Sequence, residues 1–287
     1  MKTQLREVSS VILLLFVTAA LAYGGDANVF TSFDFPGAVD TAPTSITPTG
    51  DISGNYIKAD GTQHGFLLRN GHFRAIDFPG STQSAANWIN PIGQIVGAYS
   101  SADGINHAFL LVDGKFTKFD YPGAQSTVAY GIGPTGDIVG VETDSGGTLH
   151  GFLLREGNFS LIDFPGAIAT LPTMIIGDRI VGGYFEEGWI AHGFLYRGGQ
   201  FKAIDCAGHT NLFLSGLNPI GEMTGGFSSA DSKQHGALVR NGVCNEIDYP
   251  GSTSTYANAA IPGGKIVGRY TSTDGKGHGF VLTRTNE

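Results

Sequence analysis

One tripeptide returns at an almost fixed interval through nearly the whole chain. His64-Gly65-Phe66 recurs as His107-Ala108-Phe109, His150-Gly151-Phe152, His192-Gly193-Phe194, His235-Gly236-Ala237 and His278-Gly279-Phe280, at spacings of 43, 43, 42, 43 and 43 residues. A second element keeps the same step. Asp34-Phe35-Pro36-Gly37 returns at Asp77, Asp120, Asp163, Asp205 (here Asp-Cys-Ala-Gly) and Asp248. A third ends in Gly54, Gly97, Gly140, Gly182, Gly225 and Gly268, each 10 residues before its histidine. Six such units use almost all of a 287-residue chain, so one repeat architecture is expected and a second domain is not.

Each unit reads as four short strands. In the second unit they are expected near Ala86–Asn90, Gln94–Ser100, His107–Val112 and Lys115–Tyr121. Pro91-Ile92-Gly93 makes a turn between the first two, and Asp113-Gly114 joins the last two. Four strands in about 43 residues is the period of a β-propeller blade. The connections Asn70-Gly71, Asp113-Gly114, Glu156-Gly157, Gly198-Gly199 and Asn241-Gly242 suit two-residue hairpin turns with positive φ at both positions. A two-residue turn fixes register. It places His64 across from Asp77, His107 from Asp120, His150 from Asp163, His192 from Asp205 and His235 from Asp248.

The sixth unit lacks a last strand, because the partner of His278 would fall beyond the final residue. The missing piece stands at the other end of the chain, in Phe30-Thr31-Ser32-Phe33-Asp34. The expected fold is therefore all-β: a six-bladed β-propeller of four-stranded blades, its ring closed by the N-terminal strand in the last blade. Asp34 should then meet His278. Closure of this kind removes an open sheet edge.

Composition bears on partners and compartment. Charged residues are only 15%, the net charge is -8, and no run of Lys or Arg occurs. Nucleic acid and anionic membrane surfaces are disfavoured as partners. Lys2 and Arg6 precede an apolar run from Val11 to Ala22 that ends in Ala20-Leu21-Ala22, a small-x-small cleavage pattern. Residues 1–22 read as a signal peptide and residues 23–287 as one propeller domain, secreted to the extracellular space or the periplasm. About 12 apolar residues are too few to cross a bilayer, so no membrane span is expected.

His107-Ala108-Phe109, the apolar strand after it and Asp120-Tyr121-Pro122-Gly123 resemble the HAF-repeat proteins, a family of bacterial extracellular repeat proteins. The resemblance covers all six units, from about Val29 to Arg284. It departs from the pattern at Asp205-Cys206-Ala207-Gly208 and His235-Gly236-Ala237. It implies export and a repeat fold, and it carries no agreed activity or catalytic residue.

A His and an Asp in every unit are expected to be architecture, since a single site needs asymmetry. As pairs buried between blades they would satisfy one another. No metal and no cofactor is expected. The HExxH, GxSxG and GxxxxGK[ST] patterns are absent. The loops at Asp60, Asp103 and Asp274 lack the alternating acids of an EF-hand and read as turns. Cys206 and Cys244 in an exported protein invite a disulfide. Counted along regular strands, however, they stand five positions apart, about 16 Å, against a Cα limit of about 7 Å, which disfavours the bond.

Function is expected where repetition fails. The loops between second and third strands carry Asp60, Asp103, Asp144, Glu186, Glu187, Asp231 and Asp274. The opposite face collects Arg69, Arg155, Arg197, Arg240 and Arg284. One acidic and one basic face follow. Glu142 replaces the aromatic residue of Tyr56, Tyr99, Tyr184, Phe227 and Tyr270, and Glu186-Glu187-Gly188-Trp189 forms an irregular loop. Trp88, Tyr130, Phe213 and Tyr256 stand near the starts of inner strands, toward the channel. The candidate ligand-binding residues are Glu142, Glu186, Glu187, Trp189, Trp88 and Tyr130, with rings for sugar faces and carboxylates for hydroxyls. The expected function is a monomeric binding or scaffold module for a glycan or an extracellular protein, using the acidic face. The alternative is a carbohydrate-active hydrolase or lyase with Glu142 and Glu187 as its carboxylate pair.

Overall fold

A computed structural model describes residues 18–20, 28–230 and 232–284. Twenty-five strands and no helix are found among the described residues. The signal-peptide reading and Asp231 lie outside them, apart from the strand Thr18–Ala20, which pairs antiparallel with Val29–Phe33.

Four antiparallel sheets of four strands span Gln83–Phe119, Ser126–Leu161, Ala169–Ile204 and Thr210–Ile247. The remaining strands form one sheet of nine. Within it, Asp40–Ile46, Ile52–Ile57, Gln63–Arg69 and His72–Ile76 pair in succession. Ser254–Ala260, Lys265–Thr271 and Gly277–Thr283 do the same, and Val29–Phe33 adds antiparallel to the last of them. A single parallel pair, Gly277 with Asp40, joins the two runs. The N-terminal strand thus fills the place that the sixth unit leaves empty.

The second unit shows how the sequence makes these strands. Its strands are Gln83–Ile89, Ile95–Ser100, Asn106–Val112 and Lys115–Phe119, each within three residues of the expected bounds. Asp113 and Gly114 both take positive φ, 48° and 78°, as the hairpin turn requires. The third-strand phenylalanines Phe66, Phe109, Phe152, Phe194 and Phe280 are fully buried. The recurring glycine makes room for them. A Cβ on Gly97 would lie 1.8 Å from the Ala85 carbonyl oxygen and 2.9 Å from the Phe109 ring. That strand therefore passes its neighbours too closely for any side chain at this position.

Three aromatic positions lock each unit to the next. Phe35 meets Phe73 edge-on at 5.2 Å between ring centroids, as Phe78 meets Phe116 at 5.3 Å. Tyr121 with Phe159 and Phe164 with Phe201, both at 5.2 Å, repeat the contact. Tyr249 meets Phe30 of the N-terminal strand at 5.4 Å. At the one remaining boundary the same two positions hold Cys206 and Cys244, joined as a disulfide with Cα atoms 5.6 Å apart. This corrects the strand count that disfavoured the bond. Cys206 does not lie in a strand. It follows Gln200–Ile204 in the turn that carries the chain to the next sheet, so steps along a regular strand do not measure its position. The third ring of the cluster, Phe66 in the first unit, is Ala237 in the fifth. The two departures from the repeat are one compensated exchange of three rings for a disulfide and an alanine.

Candidate ligand-binding cavity

The six His–Asp pairs form as register requires. Histidine Nδ1 lies 2.8, 3.0, 2.9, 2.8, 2.8 and 2.9 Å from its carboxylate in the pairs of His64, His107, His150, His192, His235 and His278. The sixth pair, His278 with Asp34, joins residues 244 apart in sequence. These pairs are not buried between sheets as expected. The carboxylates of Asp34, Asp77, Asp120, Asp163, Asp205 and Asp248 keep 26–56% of their exposure, because each pair stands at the rim where strands end. The other ring nitrogen often reaches the adjacent loop, as His64 Nε2 does to Thr62 Oγ1 at 2.9 Å. His235, Glu246 and Asp248 bring ligand atoms within 4.8 Å of one another, but the Lys233 ammonium already lies 3.3 Å from Asp248 Oδ2 as the local cation.

Charged side chains on both faces are held by local partners. Arg69, Arg155, Arg197 and Arg240 each pair with a carboxylate at the start of the preceding strand, Asp51, Asp137, Asp178 and Glu222. Arg284 shares Glu222 with Arg240, so five guanidiniums meet four carboxylates on this face. On the opposite face Asp60, Asp103, Asp144 and Asp274 accept hydrogen bonds from residues of their own turns. These bonds hold the four carboxyls below their ordinary value. They are turn residues, as expected, and stay ionised.

Glu142 is only 5% exposed. It occupies the middle of a ring column that four other units keep intact: Phe35 stacks on Tyr56 at 3.6 Å, and Tyr56 on His64 at 5.2 Å. In the third sheet Tyr121, Glu142 and His150 take those places, with Glu142 paired to His150 across the strands. Burial pushes the Glu142 carboxyl up from its ordinary value, with His150 pulling the other way. The hydrogen bond that His150 donates to Asp163, and then the charges of Asp163, Glu142 and Asp144, raise His150. Glu186 lies 3.9 Å from His192 on the next sheet, and Trp189 stands 61% exposed beside Phe185. Glu142 belongs to the strand Ile138–Thr143, whereas Glu186 ends the strand Arg179–Glu186 of the neighbouring sheet and Glu187 lies in the turn after it.

The residues that do converge are on the inner strands. A cavity of about 340 Å³, within the usual range of ligand sites, draws its walls from all six units. Trp88, Tyr130, Phe213 and Tyr256 supply rings, and Asn55 and Asn258 supply amides. The geometry has a local cause. Every inner strand carries a bulge, at Thr44, Asn87, Tyr130, Thr173, Ser215 and Asn258. A bulge leaves a residue outside the ladder and re-aims its side chain. Four of these side chains donate to the carbonyl just before the bulge of the next inner strand. Thr44 reaches Ala86, Asn87 reaches Ala129, Thr173 reaches Leu214 and Asn258 reaches Pro43, at 2.7–3.2 Å. The polar ring was missed in the sequence, although its six positions keep the repeat spacing.

Tyr130 breaks this hand-over. Burial raises its phenol above the ordinary value, and its hydroxyl has no hydrogen-bond partner among the described residues. The indole N–H of Trp88, 7% exposed, has none either. Tyr130 is half-buried and neither polar atom is enclosed by protein, so both face water in the cavity, where a ligand can reach them. Tyr256 is different: its hydroxyl donates to the Phe213 carbonyl at 3.1 Å, and burial pushes its pKa to about 12.

No family model and no curated protein sequence matches this chain. Solved structures do. A triple mutant of AofleA from Arthrobotrys oligospora aligns over 91% of this chain and 90% of its own, at 11% identity and a TM-score of 0.55. The Aleuria aurantia lectin, described as a six-bladed β-propeller with a fucose recognition mode, aligns over 85% and 93%, at 14% identity and 0.52. TolB from Acinetobacter baumannii aligns over 82% and 64%, at 13% identity and 0.58. At such identities the likeness carries the fold, and the fold is an all-β propeller.

Proposed function

We propose that this protein is an exported, six-bladed β-propeller of the HAF-repeat kind that binds glycans in the cavity where its inner strands meet. The blade count follows from reading the nine-stranded sheet as two four-stranded blades that touch at one residue pair, with Val29–Phe33 completing the sixth and Thr18–Ala20 paired outside it. Export is supported by the basic and apolar pattern before Ala22 and agrees with the disulfide. The observation that carries the binding reading is the pair of unpartnered polar groups, the Trp88 N–H and the Tyr130 hydroxyl, on aromatic walls beside neutral amides. Rings stack on the apolar face of a sugar, and amides serve its hydroxyls in both directions.

Propeller neighbours that are lectins make fucosylated glycans the first probes. Residues 23–287 should be presented to an array that includes α-methyl-L-fucoside and fucosylated oligosaccharides, beside Tyr130→Ala. Specific binding by the parent chain is expected, weakened about twofold to tenfold by loss of the ring and hydroxyl. Equal binding by Tyr130→Ala, or no bound glycan at all, would contradict the proposal.

A further inference from the structure

A second cavity, of about 420 Å³, opens beside the first on the face that carries the second-to-third loops. Asn87 and Tyr130 line both, so the two spaces share a wall. The second cavity lies between the first three units. Gln63, Gln83, Tyr99, Ser100 and Asn106 line it. Asn106 is committed to Ser100, whose hydroxyl donates to its amide oxygen at 2.6 Å. The side-chain amides of Gln63 and Gln83 have no hydrogen-bond partner among the described residues. Each offers two donors and an acceptor to whatever lies in the cleft.

Charge decides the class of occupant. No Asp, Glu, Lys, Arg or His lines either cavity. A loop carboxylate, Asp103, adjoins the lining residue Gly104. Its bonds to the Ser101 hydroxyl and the Ile105 amide hold its pKa low, so it stays anionic. An anionic ligand would find no counter-charge in the cleft and a like charge within about one screening length of its mouth. A neutral polyhydroxylated chain would find paired amides and ring faces.

We infer that this cleft is an extension subsite that takes the outer residues of a neutral, unbranched oligosaccharide whose end occupies the axial cavity, Gln63 and Gln83 being its hydroxyl-binding groups. The inference rests on the glycan reading of the axial cavity. Because Asn87 and Tyr130 belong to both walls, a chain can pass from one space to the other without leaving protein contact. Selectivity for length then comes from the cleft, and the axial cavity holds the terminal residue.

The test is an array of neutral oligosaccharides from one to six residues, printed beside sialylated and uronic-acid glycans. It is read with the parent chain, a Gln63→Ala/Gln83→Ala double variant and Phe213→Ala, which touches only the axial cavity. Gln83 is exposed, Gln63 is half-buried and neither side chain has a protein partner among the described residues, so the double variant should fold, and an unchanged melting temperature verifies this. Loss of two amides should weaken trisaccharides and longer glycans about tenfold and leave mono- and disaccharides unchanged. Phe213→Ala should weaken every length. If the double variant binds all lengths as the parent does, or if the parent prefers acidic glycans, the extension subsite is wrong. Should Phe213→Ala still reduce binding in that case, the axial reading survives. Absence of any bound glycan overturns both.

Discussion

Glu142 interrupts a column of rings that four other units keep intact, with centroids 3.6–3.7 Å apart. Its cost can be measured. Restoring the ring with Glu142→Tyr should stabilise the protein by about 0.5–1.5 kcal/mol, or about 2–5 °C in Tm for a domain of this size. The gain should also depend on pH. A carboxyl raised by burial holds its proton more tightly folded than unfolded. Stability therefore falls as pH climbs from the ordinary value of 4.5 through the raised one. His150 adds a later decline: its raised pKa gives stability that is full below 6.5 and lost as pH rises through the folded value. Denaturant unfolding of parent and variant from pH 4 to 7 should give curves that diverge as pH rises above 4.5. Parallel curves would mean that Glu142 is not strained by its place in the column. The sequence marked Glu142 as exceptional, but it could not show that the exception is buried. Exposure depends on how the column packs, and the spacing says nothing of that. Trp88 and Tyr130 were legible as channel residues for the opposite reason: the repeat fixed which strand is innermost.

At the scale of the element, the exchange of ring pair for disulfide is the clearest lesson in how far sequence reaches. Cys206 and Cys244 stand 38 residues apart, and so do Phe35 and Phe73. Alignment of units by number would have shown the cysteines in the places of a repeated contact. Counting along strands failed because one partner sits in a turn. The polar ring at the bulges was hidden similarly. Thr, Asn, Tyr and Ser differ as residue types, so the position repeats while the residue does not. The disulfide carries its own prediction. Closing a loop of this length constrains the unfolded chain by about 4 kcal/mol in the chain-entropy model. Cys206→Ser with Cys244→Ser should lower Tm by about 10 °C, since neither serine can replace the ring contact. A melting temperature unchanged by the double substitution would show that the covalent link adds nothing at this boundary.

For the whole molecule, closure makes the cavity possible, because six inner strands can surround a space only if the last unit returns to the first. Four independent contacts meet there. His278 bonds Asp34, Phe30 packs on Tyr249, Asn258 donates to the Pro43 carbonyl at 2.7 Å, and Arg269 pairs with Asp40. The first of them was readable from the split sixth unit. The ion pair was not, because Asp40 and Arg269 occupy positions that hold uncharged residues in the other units. The pair of Phe30 and Tyr249 also supplies a direct measurement. It occupies, at the closing boundary, the two positions that Cys206 and Cys244 hold one boundary earlier. In the variant Phe30→Cys with Tyr249→Cys, the new thiols should therefore form a second disulfide between residues 219 apart. Peptide mapping of the oxidised, unreduced protein should recover residue 30 linked to residue 249, alongside the native Cys206–Cys244 bond. If both new thiols remain free to react with an alkylating agent in the folded protein, the N-terminal strand does not close the ring.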